Sequence, residues 1–353
     1  MKNFNVAVLI SLCLAMTGLL AGNSTEQSRA ASPPARTPER TAGDAVPAIG
    51  WETGPTMLCP AGAPIVADGY IFALGGSGSC DPTDIQRSRI QPDGRLDEWV
   101  KDEARLPFSL SGFSAFLSGG FVYLHGGYTS SGSVDSVEFA HVENGQWNGW
   151  WSFTPNPGYL LVAAKGRLFS FRVISNPPAM GDDRLLAQGA LINPDGSPGA
   201  WVDLGDFGRH SPSSVVSYGD WIYLLGDSDT GNGGLYRTTV SADGKLGPLQ
   251  TMNLSSSPVA TATVLRNGIY VYSGLAVTRA TILPDGSLSA WENLPLAPER
   301  RRGANLASAG DSLYVLGGFI NGTPTATTLR LRLTPYSLNL PLILNGSTSG
   351  GQN

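Results

Sequence analysis

Short apolar runs, each preceded by a tight turn, recur along the chain from about residue 46 to residue 335. The turns are Asp68-Gly69, Gly119-Gly120, Lys165-Gly166, Gly219-Asp220, Asn267-Gly268 and Gly310-Asp311. The runs that follow are rich in aromatic residues: Tyr70 to Leu74, Phe121 to Leu124, Leu168 to Phe171, Trp221 to Leu225, Ile269 to Tyr272 and Leu313 to Leu316. Small and β-branched residues precede the turns, as at 213–217, 259–264 and 304–308. This composition predicts antiparallel strands, with the small-residue strands near a central axis and the aromatic strands outside them.

A second series of turns lies between the first, and each carries a bulky apolar residue five positions after its glycine. The pairs are Asp93-Gly94 with Trp99, Asn144-Gly145 with Trp150, Asp195-Gly196 with Trp201, Asp243-Gly244 with Leu249 and Asp285-Gly286 with Trp291. The glycines are 51, 51, 48 and 42 residues apart. Asp-Gly and Asn-Gly favour type I′ turns, because both central residues need positive φ. Each turn therefore predicts a hairpin between a third and a fourth strand, and the period indicates repeats of four strands.

The repeat count predicts a closed ring. There are six turns of the first kind but five of the second, and the sixth unit stops after a third strand at 327–333. Near the N-terminus, Ile49-Gly50-Trp51 carries a Trp without a preceding hairpin, so it supplies the missing fourth strand. The sequence thus predicts an all-β fold over residues 46–335, a six-bladed β-propeller of four-stranded antiparallel blades. Closure by the N-terminal strand leaves no open sheet edge.

Composition agrees with this fold and narrows the choice of partners. Of the 353 residues, 14% are charged, 45 are Gly and 25 are Pro, as expected for many short strands and turns. The formal net charge of −5 argues against nucleic acid or an anionic membrane surface as a partner.

Both ends of the chain lie outside the repeats. Residues 1–21 are typical of an export signal, with Lys2 before an apolar stretch; the alternative is an uncleaved membrane anchor. Residues 22–45 contain almost no apolar residues and are interpreted as a disordered linker. Residues 336–353 are a C-terminal tail, interpreted as a strand packed on the sixth unit or as a sorting segment. We therefore expect an exported protein, extracellular or in the cell envelope.

Two segments resemble kelch repeats: Tyr123-Leu124-His125-Gly126-Gly127 and Tyr314-Val315-Leu316-Gly317-Gly318. The segment from Tyr70 to Gly76 is similar, since the kelch pattern is a double glycine ending the second strand, then an aromatic residue and a Trp. In units three, four and five the double glycine is replaced by Arg172-Val173, Gly226-Asp227 and Gly274-Leu275. The chain looks like the divergent kelch-like propellers of exported bacterial proteins. This resemblance implies the fold and leaves the function open.

The resemblance also implies that the fourth-to-first connections and the second-to-third loops share one face, which we call the loop face. The connections are at about 100–112, 151–158, 202–212, 250–258 and 292–303, and the loops at about 76–84, 127–134, 172–184, 226–234, 274–279 and 318–325. Cys59 lies in the connection to the first blade and Cys80 in that blade's loop. We therefore expect a disulfide between Cys59 and Cys80, with two unpaired thiols as the alternative.

The densest charge cluster, Glu299-Arg300-Arg301-Arg302, falls on the loop face, and Arg209-His210 lies at the matching place in blade four. Guanidinium groups there would capture a carboxylate or an acidic sugar. We predict Arg301, Arg302 and Arg209 as ligand-binding residues; the alternative is a set of solvated loop charges.

These observations predict a non-enzymatic module that binds a protein or a glycan through the loop face, as a monomer. The alternative is a sugar-modifying enzyme of the mutarotase or lyase kind, with Glu299, Arg301, Arg302 and His210 as its catalytic residues. His125, His141 and His210 are scattered along the chain, so we predict no metal site and no cofactor.

Overall fold

The computed structural model describes residues 50–60, 62–76, 80–134, 136–153, 160–174, 184–227, 234–252 and 261–333. Within these ranges the regular structure consists of six four-stranded antiparallel sheets and two short hairpins. The sheets are the blades of a β-propeller, which confirms the predicted fold class. In this part of the chain there is no helix with the length and apolar character needed to cross a membrane. The predicted signal at 1–21, linker at 22–45 and tail at 336–353 lie outside the described residues.

The first strand of the chain, β1 (Gly50–Thr53), belongs to the last blade. Blade 1 contains β2 (Pro64–Ala67), β3 (Tyr70–Leu74), β4 (Asp84–Arg89) and β5 (Val100–Arg105). Blade 2 contains β6 (Ser114–Ser118), β7 (Phe121–His125), β10 (Val137–Glu143) and β11 (Gln146–Phe153), with the hairpin of β8 (Tyr128–Thr129) and β9 (Gly132–Ser133) in its second-to-third loop. Blade 3 contains β12 (Leu160–Ala164), β13 (Arg167–Ile174), β14 (Arg184–Leu191) and β15 (Val202–Asp206).

The remaining blades follow the same order from the axis outward. Blade 4 contains β16 (Ser214–Tyr218), β17 (Trp221–Asp227), β18 (Gly234–Thr239) and β19 (Gln250–Met252). Blade 5 contains β20 (Thr261–Leu265), β21 (Gly268–Tyr272), β22 (Val277–Thr281) and β23 (Glu292–Asn293). Blade 6 contains β24 (Asn305–Ala309), β25 (Ser312–Leu316), β28 (Thr328–Arg332) and β1, with the hairpin of β26 (Phe319–Ile320) and β27 (Thr323–Pro324) in its second-to-third loop.

The N-terminal strand closes the ring, as predicted. β1 pairs antiparallel with β28, from Gly50 opposite Arg332 to Thr53 opposite Leu329. The buried guanidinium of Arg330 reinforces this seam, because it donates to the Glu52 carboxylate at 3.0 Å and also contacts the Asp93 carbonyl oxygen of blade 1.

Each of the six junctions between blades is filled by one apolar cluster. A bulky residue that lies in each fourth strand or directly before it packs into the cluster shared with the preceding blade. These residues are Trp99, Trp150, Trp201, Leu249, Trp291 and, from β1, Trp51. Two indoles also donate across a junction, Trp150 to the Arg105 carbonyl oxygen at 2.7 Å and Trp51 to that of Pro295 at 2.8 Å. The recurring Trp therefore holds blade against blade.

Four of the five third-to-fourth turns differ from the predicted type I′ geometry. At Asn144-Gly145 both residues have positive φ, 53° and 72°, as type I′ requires. At Asp93-Gly94, Asp195-Gly196, Asp243-Gly244 and Asp285-Gly286 only the glycine does. In these four turns the glycine N–H donates to the carbonyl oxygen of the residue three positions earlier, as from Gly94 to Gln91 at 2.8 Å. These are three-residue loops, a type I turn followed by a left-handed glycine, and the proline before Asp in three of them favours the type I start.

The glycines of these turns lie against the preceding blade, where no side chain fits. A Cβ on Gly145 would come within 3.1 Å of the Tyr70 ring, and one on Gly286 would enter the Trp221 indole. Three second-strand tyrosines also donate to carbonyl oxygens of these glycines: Tyr123 to Gly196 at 2.8 Å, Tyr223 to Gly286 at 2.9 Å and Tyr314 to Gly94 at 2.6 Å. Burial raises the pKa of Tyr123 and of Tyr223 to about 12, which keeps these hydroxyls protonated as donors.

Candidate functional site

In blades 1, 2 and 6 the described part of the loop face is anchored by contacts between the connection and the loop beside it. In blade 2 the Ser111 and Tyr128 backbones exchange hydrogen bonds of 3.0 and 2.8 Å, and in blade 6 Arg302 and Phe319 do the same at 3.0 and 2.8 Å. The second glycine of each double-glycine pair permits this approach. A Cβ on Gly127 would come within 2.6 Å of the Ser111 carbonyl oxygen, and one on Gly318 within 2.8 Å of that of Arg302. The kelch-like double glycine is thus a packing requirement of these blades.

In blade 1 a disulfide provides this anchor. Cys59 and Cys80 are bonded, with 6.1 Å between their Cα atoms, which confirms the predicted bridge. The buried Gln86 adds to it, because its side-chain amide donates to the Cys59 carbonyl oxygen at 2.9 Å and accepts from the Leu58 N–H at 2.8 Å. The connection to blade 1 is therefore fixed to both its loop and its third strand.

Arg301 is wholly buried, with 0% of its surface exposed. Its guanidinium donates to Glu299 Oε1 at 3.0 Å, to the Thr327 carbonyl oxygen at 2.6 Å and to that of Gly317 at 3.3 Å. Its own N–H donates to the Gly274 carbonyl oxygen at 2.7 Å. These partners lie in blades 5 and 6, so the side chain fastens the connection between them. Burial counts against direct contact of Arg301 with a ligand.

Of the other predicted site residues, only Glu299 lies against the Arg301 side chain. Arg302 and Arg209 are exposed, and Glu299 is engaged by Arg301. His210 packs its ring 4.2 Å from that of Tyr236, within blade 4. Blades 4 and 6 are separated by blade 5, so the structure brings Glu299 and Arg301 together but leaves His210 and Arg209 on another part of the face. Ligand binding by Arg302 and Arg209 stays a prediction.

Two exposed aromatic residues on the loop face were not among the predicted site residues. Tyr128 begins β8 and is 63% exposed, and Phe319 begins β26 and is 46% exposed. Each immediately follows a double glycine at the same place in its blade. Blades 2 and 6 flank blade 1, so the two hairpins stand on either side of the disulfide-anchored loop. The sequence did contain a signal for these two residues, because each is an aromatic residue directly after a double glycine. We interpreted that aromatic residue as part of the kelch repeat pattern, and therefore as a feature of the fold and not of a binding site.

A central channel of about 460 Å³ is lined by the first strands of all six blades. Its polar lining is mostly hydroxyl and amide groups, from Ser114, Ser118, Ser214, Ser217, Thr261, Thr263, Asn305 and Ser308. None of the described lining residues is Asp, Glu, Lys or Arg. First strands begin at the loop face, so Ser114, Ser214 and Thr261 lie at that mouth of the channel. The described mouth is therefore polar and contains no Asp, Glu, Lys or Arg, and the titratable side chain in the described lining is that of His125, opposite Ser114.

Charges on the rim of blade 1 are paired with one another. Arg105 lies 2.9 Å from Asp81, and Lys101 lies 2.9 Å from Asp84. Hydrogen bonds from the Thr83 backbone and hydroxyl hold the pKa of Asp81 below its usual value. Among the residues that the structure describes, no three His, Cys, Asp or Glu side chains are grouped as metal ligands.

Comparison with known proteins agrees with the kelch-like pattern. No protein-family model matches the chain. A Kelch domain-containing protein of Archaeoglobus fulgidus is 35% identical over 75 residues, which is 21% of this chain. The matched segment spans 22% of the length of that relative. The solved structure of YjhT is similar with a TM-score of 0.54 at 15% identity, covering 78% of this chain and 96% of that one, and at this identity the likeness concerns the fold. The repeat pattern, the ring of six blades and these likenesses together identify the fold as a six-bladed β-propeller whose blades resemble kelch repeats.

Proposed function

We propose that the protein is a non-catalytic binding module whose loop face recognises a carbohydrate, with a protein ligand as the second candidate. The observation that carries this proposal is the pair of exposed aromatic residues, Tyr128 and Phe319, on hairpins anchored either side of blade 1. Exposed aromatic side chains on a rigid support are the usual anchors of a recognition surface. Their rigidity limits the entropy lost on binding.

The described lining of the channel mouth, which is rich in hydroxyl groups and contains no Asp, Glu, Lys or Arg, favours a carbohydrate over a protein. The Ser114, Ser214 and Thr261 hydroxyls can both donate and accept hydrogen bonds, which suits sugar hydroxyl groups. Binding sites commonly combine apolar and aromatic surface with a few placed polar groups. Exposed Arg302 and Arg209 would add contacts to an acidic sugar or to a carboxylate.

The enzymatic alternative has less support in the described residues. It needs Glu299, Arg301, Arg302 and His210 around one reacting group, and a general acid or base must reach its proton at about 3 Å. Arg301 is instead buried among backbone carbonyl groups, and His210 packs on Tyr236. We also propose that the protein is exported, which the predicted N-terminal signal and the Cys59–Cys80 disulfide support.

The test is binding of the purified full chain to an array of neutral and acidic glycans, followed by titration of any hit. Replacing both Tyr128 and Phe319 by Ala should weaken binding by at least about 10-fold, since two anchors are removed. Tyr218→Ala is the matched control, because Tyr218 is also exposed but lies beside a first-to-second turn on the opposite face. Equal loss in this control would contradict a site at the hairpins.

Two further outcomes separate the candidates. A protein ligand that depends on Tyr128 and Phe319, with no glycan bound, would replace carbohydrate by protein as the ligand class. Conversion of a bound sugar, seen as changed anomeric or product signals in NMR spectra, would overturn the non-catalytic proposal. If conversion is lost in His210→Ala, the enzymatic alternative is correct.

A further inference from the structure

A cavity of about 210 Å³ lies in the junction between blades 6 and 1, where the N-terminal strand closes the ring. Its walls come from β1 and the chain after it, from β28 and from the third-to-fourth turn of blade 1. The lining residues of this closing-junction cavity are Glu52, Thr53, Gly54, Pro55, Arg95, Leu96, Thr328 and Arg330. Sites for drug-sized ligands commonly measure about 300–1,000 Å³, so this cavity suits a smaller molecule.

The cavity lies where blade 6 lacks a side chain that blade 5 has. The two blades carry related segments, Trp-Glu-Asn-Leu-Pro at 291–295 and Trp-Glu-Thr-Gly-Pro at 51–55. Their backbones follow the same path, because Leu294 donates to the Val277 carbonyl oxygen at 2.9 Å and Gly54 donates to that of Thr328 at 2.8 Å. Leu294 is buried in the apolar cluster between blades 5 and 6. Gly54 leaves the corresponding space between blades 6 and 1 unfilled.

Two buried polar groups at the same junction have no hydrogen-bond partner among the described residues. They are the hydroxyl of Thr328, in the cavity wall, and the indole N–H of Trp99. Leu96, also in the wall, packs against the apolar cluster that contains Trp99. At the matching place one junction earlier, the indole of Trp51 donates to the Pro295 carbonyl oxygen at 2.8 Å. Since a buried polar group without a partner is costly, the inner end of the cavity favours a molecule that can form hydrogen bonds.

The outer end of the cavity is positively charged and has unused donors. The Arg330 guanidinium is already paired with Glu52 at 3.0 Å. The Arg95 side chain is 69% exposed, and the nearest oxygens of Glu52 and Asp93 lie 3.8 and 3.7 Å away, beyond hydrogen-bond distance. The backbone N–H of Arg95 lowers the pKa of Asp93, and the nearby guanidinium groups lower it further. The guanidinium of Arg95 can therefore turn to a carboxylate, which accepts two parallel hydrogen bonds from such a group.

We propose that the closing-junction cavity binds a small organic carboxylate. The carboxylate pairs with Arg95 at the outer end. The apolar body lies between Leu96 and Pro55, in the space that a leucine fills in blade 5. A polar group at the inner end meets the Thr328 hydroxyl. The site shares no residue with the aromatic hairpins of the loop face, so it goes beyond the proposed glycan-binding function.

Titration of the full chain with para-hydroxybenzoate tests the site, because this probe has a carboxylate and a hydroxyl at opposite ends of a small ring. The isotope-labelled protein should show a saturable shift of the Trp99 indole N–H signal, assigned with Trp99→Phe, and a Kd of about 1 mM or tighter. The uncharged analogue para-hydroxybenzamide should bind at least about 10-fold more weakly, because it cannot pair with a guanidinium as an anion does. No saturable shift, or equal affinity for the two compounds, would overturn the proposal.

Filling the cavity should block the probe. Gly54→Leu restores the residue of blade 5, and its Cβ would lie 3.6 Å from the Thr328 side chain, an ordinary contact. We expect at least about a 10-fold loss of affinity for para-hydroxybenzoate, with Tm unchanged or raised because a cavity is filled. Wild-type affinity in a folded Gly54→Leu variant would place the probe elsewhere and overturn the proposal.

A charge variant covers the case in which Gly54→Leu folds poorly. Arg95→Gln changes an exposed side chain and should weaken binding of para-hydroxybenzoate by about 10-fold, with little effect on para-hydroxybenzamide. Arg184→Gln is the matched control, because Arg184 is also exposed and lies beside an aspartate, Asp206, in blade 3. Undiminished binding in Arg95→Gln, or an equal loss in Arg184→Gln, would contradict the assigned role of Arg95.

Discussion

At the residue scale, Arg301 shows how a surface motif can be part of the interior. The run Glu299-Arg300-Arg301-Arg302 suggests a charged loop, yet Arg301 is buried while the residues on either side of it are exposed. The Arg301 guanidinium donates hydrogen bonds to the carbonyl oxygens of Gly317 and Thr327 and to the Thr327 hydroxyl. Its charge is balanced by Glu299, so the pair stabilises the connection between blades 5 and 6.

Arg301→Ala should therefore destabilise the protein by about 3 kcal/mol, because it leaves buried acceptors without donors. Arg301→Lys should recover only part of this, since one ammonium cannot reach all the acceptors of the planar guanidinium. Arg302→Ala is the matched control and should change the free energy of unfolding by less than about 0.5 kcal/mol, because its side chain is exposed. Urea denaturation of the three variants measures these values. Wild-type stability in Arg301→Ala would show that the buried network contributes nothing.

At the element scale, one hairpin serves two purposes: it joins the third and fourth strands, and its glycine packs on the preceding blade. The sequence revealed the hairpins but not the second purpose. Asp-Gly is compatible with several turn types; the three-residue loop is favoured by the proline before Asp in three of the four loops and by contact with the preceding blade. The contact also explains why glycine is needed at these positions even in turns where Asp has ordinary negative φ.

Gly286→Ala should accordingly cost more than backbone strain alone. Both Gly286 and Gly166 have positive φ, 75° and 68°, but a Cβ on Gly166 would meet nothing within 4 Å, whereas one on Gly286 would overlap the Trp221 indole. We expect about 1 kcal/mol for Gly166→Ala and about 3 kcal/mol or more for Gly286→Ala. Thermal unfolding compares the two variants, and adding Trp221→Gly to Gly286→Ala should relieve the excess. Equal costs for the two single variants would mean that the turn does not pack against blade 4.

At the scale of the whole molecule, the blade count, the central small-residue strands and the closure by β1 were all predictable, because each follows from a repeated local pattern. The disulfide followed from placing Cys59 and Cys80 on one face. The candidate site was less predictable, since exposure of Tyr128 and burial of Arg301 depend on how each loop meets its neighbouring connection. The packing of each loop against its connection depends on backbone hydrogen bonds between separate segments of the chain, as between Arg302 and Phe319. Local composition does not encode such contacts.

Ring closure gives the last prediction, which concerns the stability of all six blades together. Deleting residues 46–56 removes β1, the Trp51 indole from the cluster between blades 5 and 6, and the Glu52 partner of buried Arg330. Loss of the indole alone should lower the free energy of unfolding by about 3 kcal/mol. The buried Arg330 guanidinium would also lose its carboxylate partner, which lowers the stability further. We therefore expect Tm to fall by more than about 10 °C. The exposed edge of β28 should also promote association of the variant, which size-exclusion chromatography would detect. Deleting residues 22–45 is the matched control and should leave Tm unchanged. If the chain without residues 46–56 melts like the wild type, the ring does not depend on its N-terminal strand.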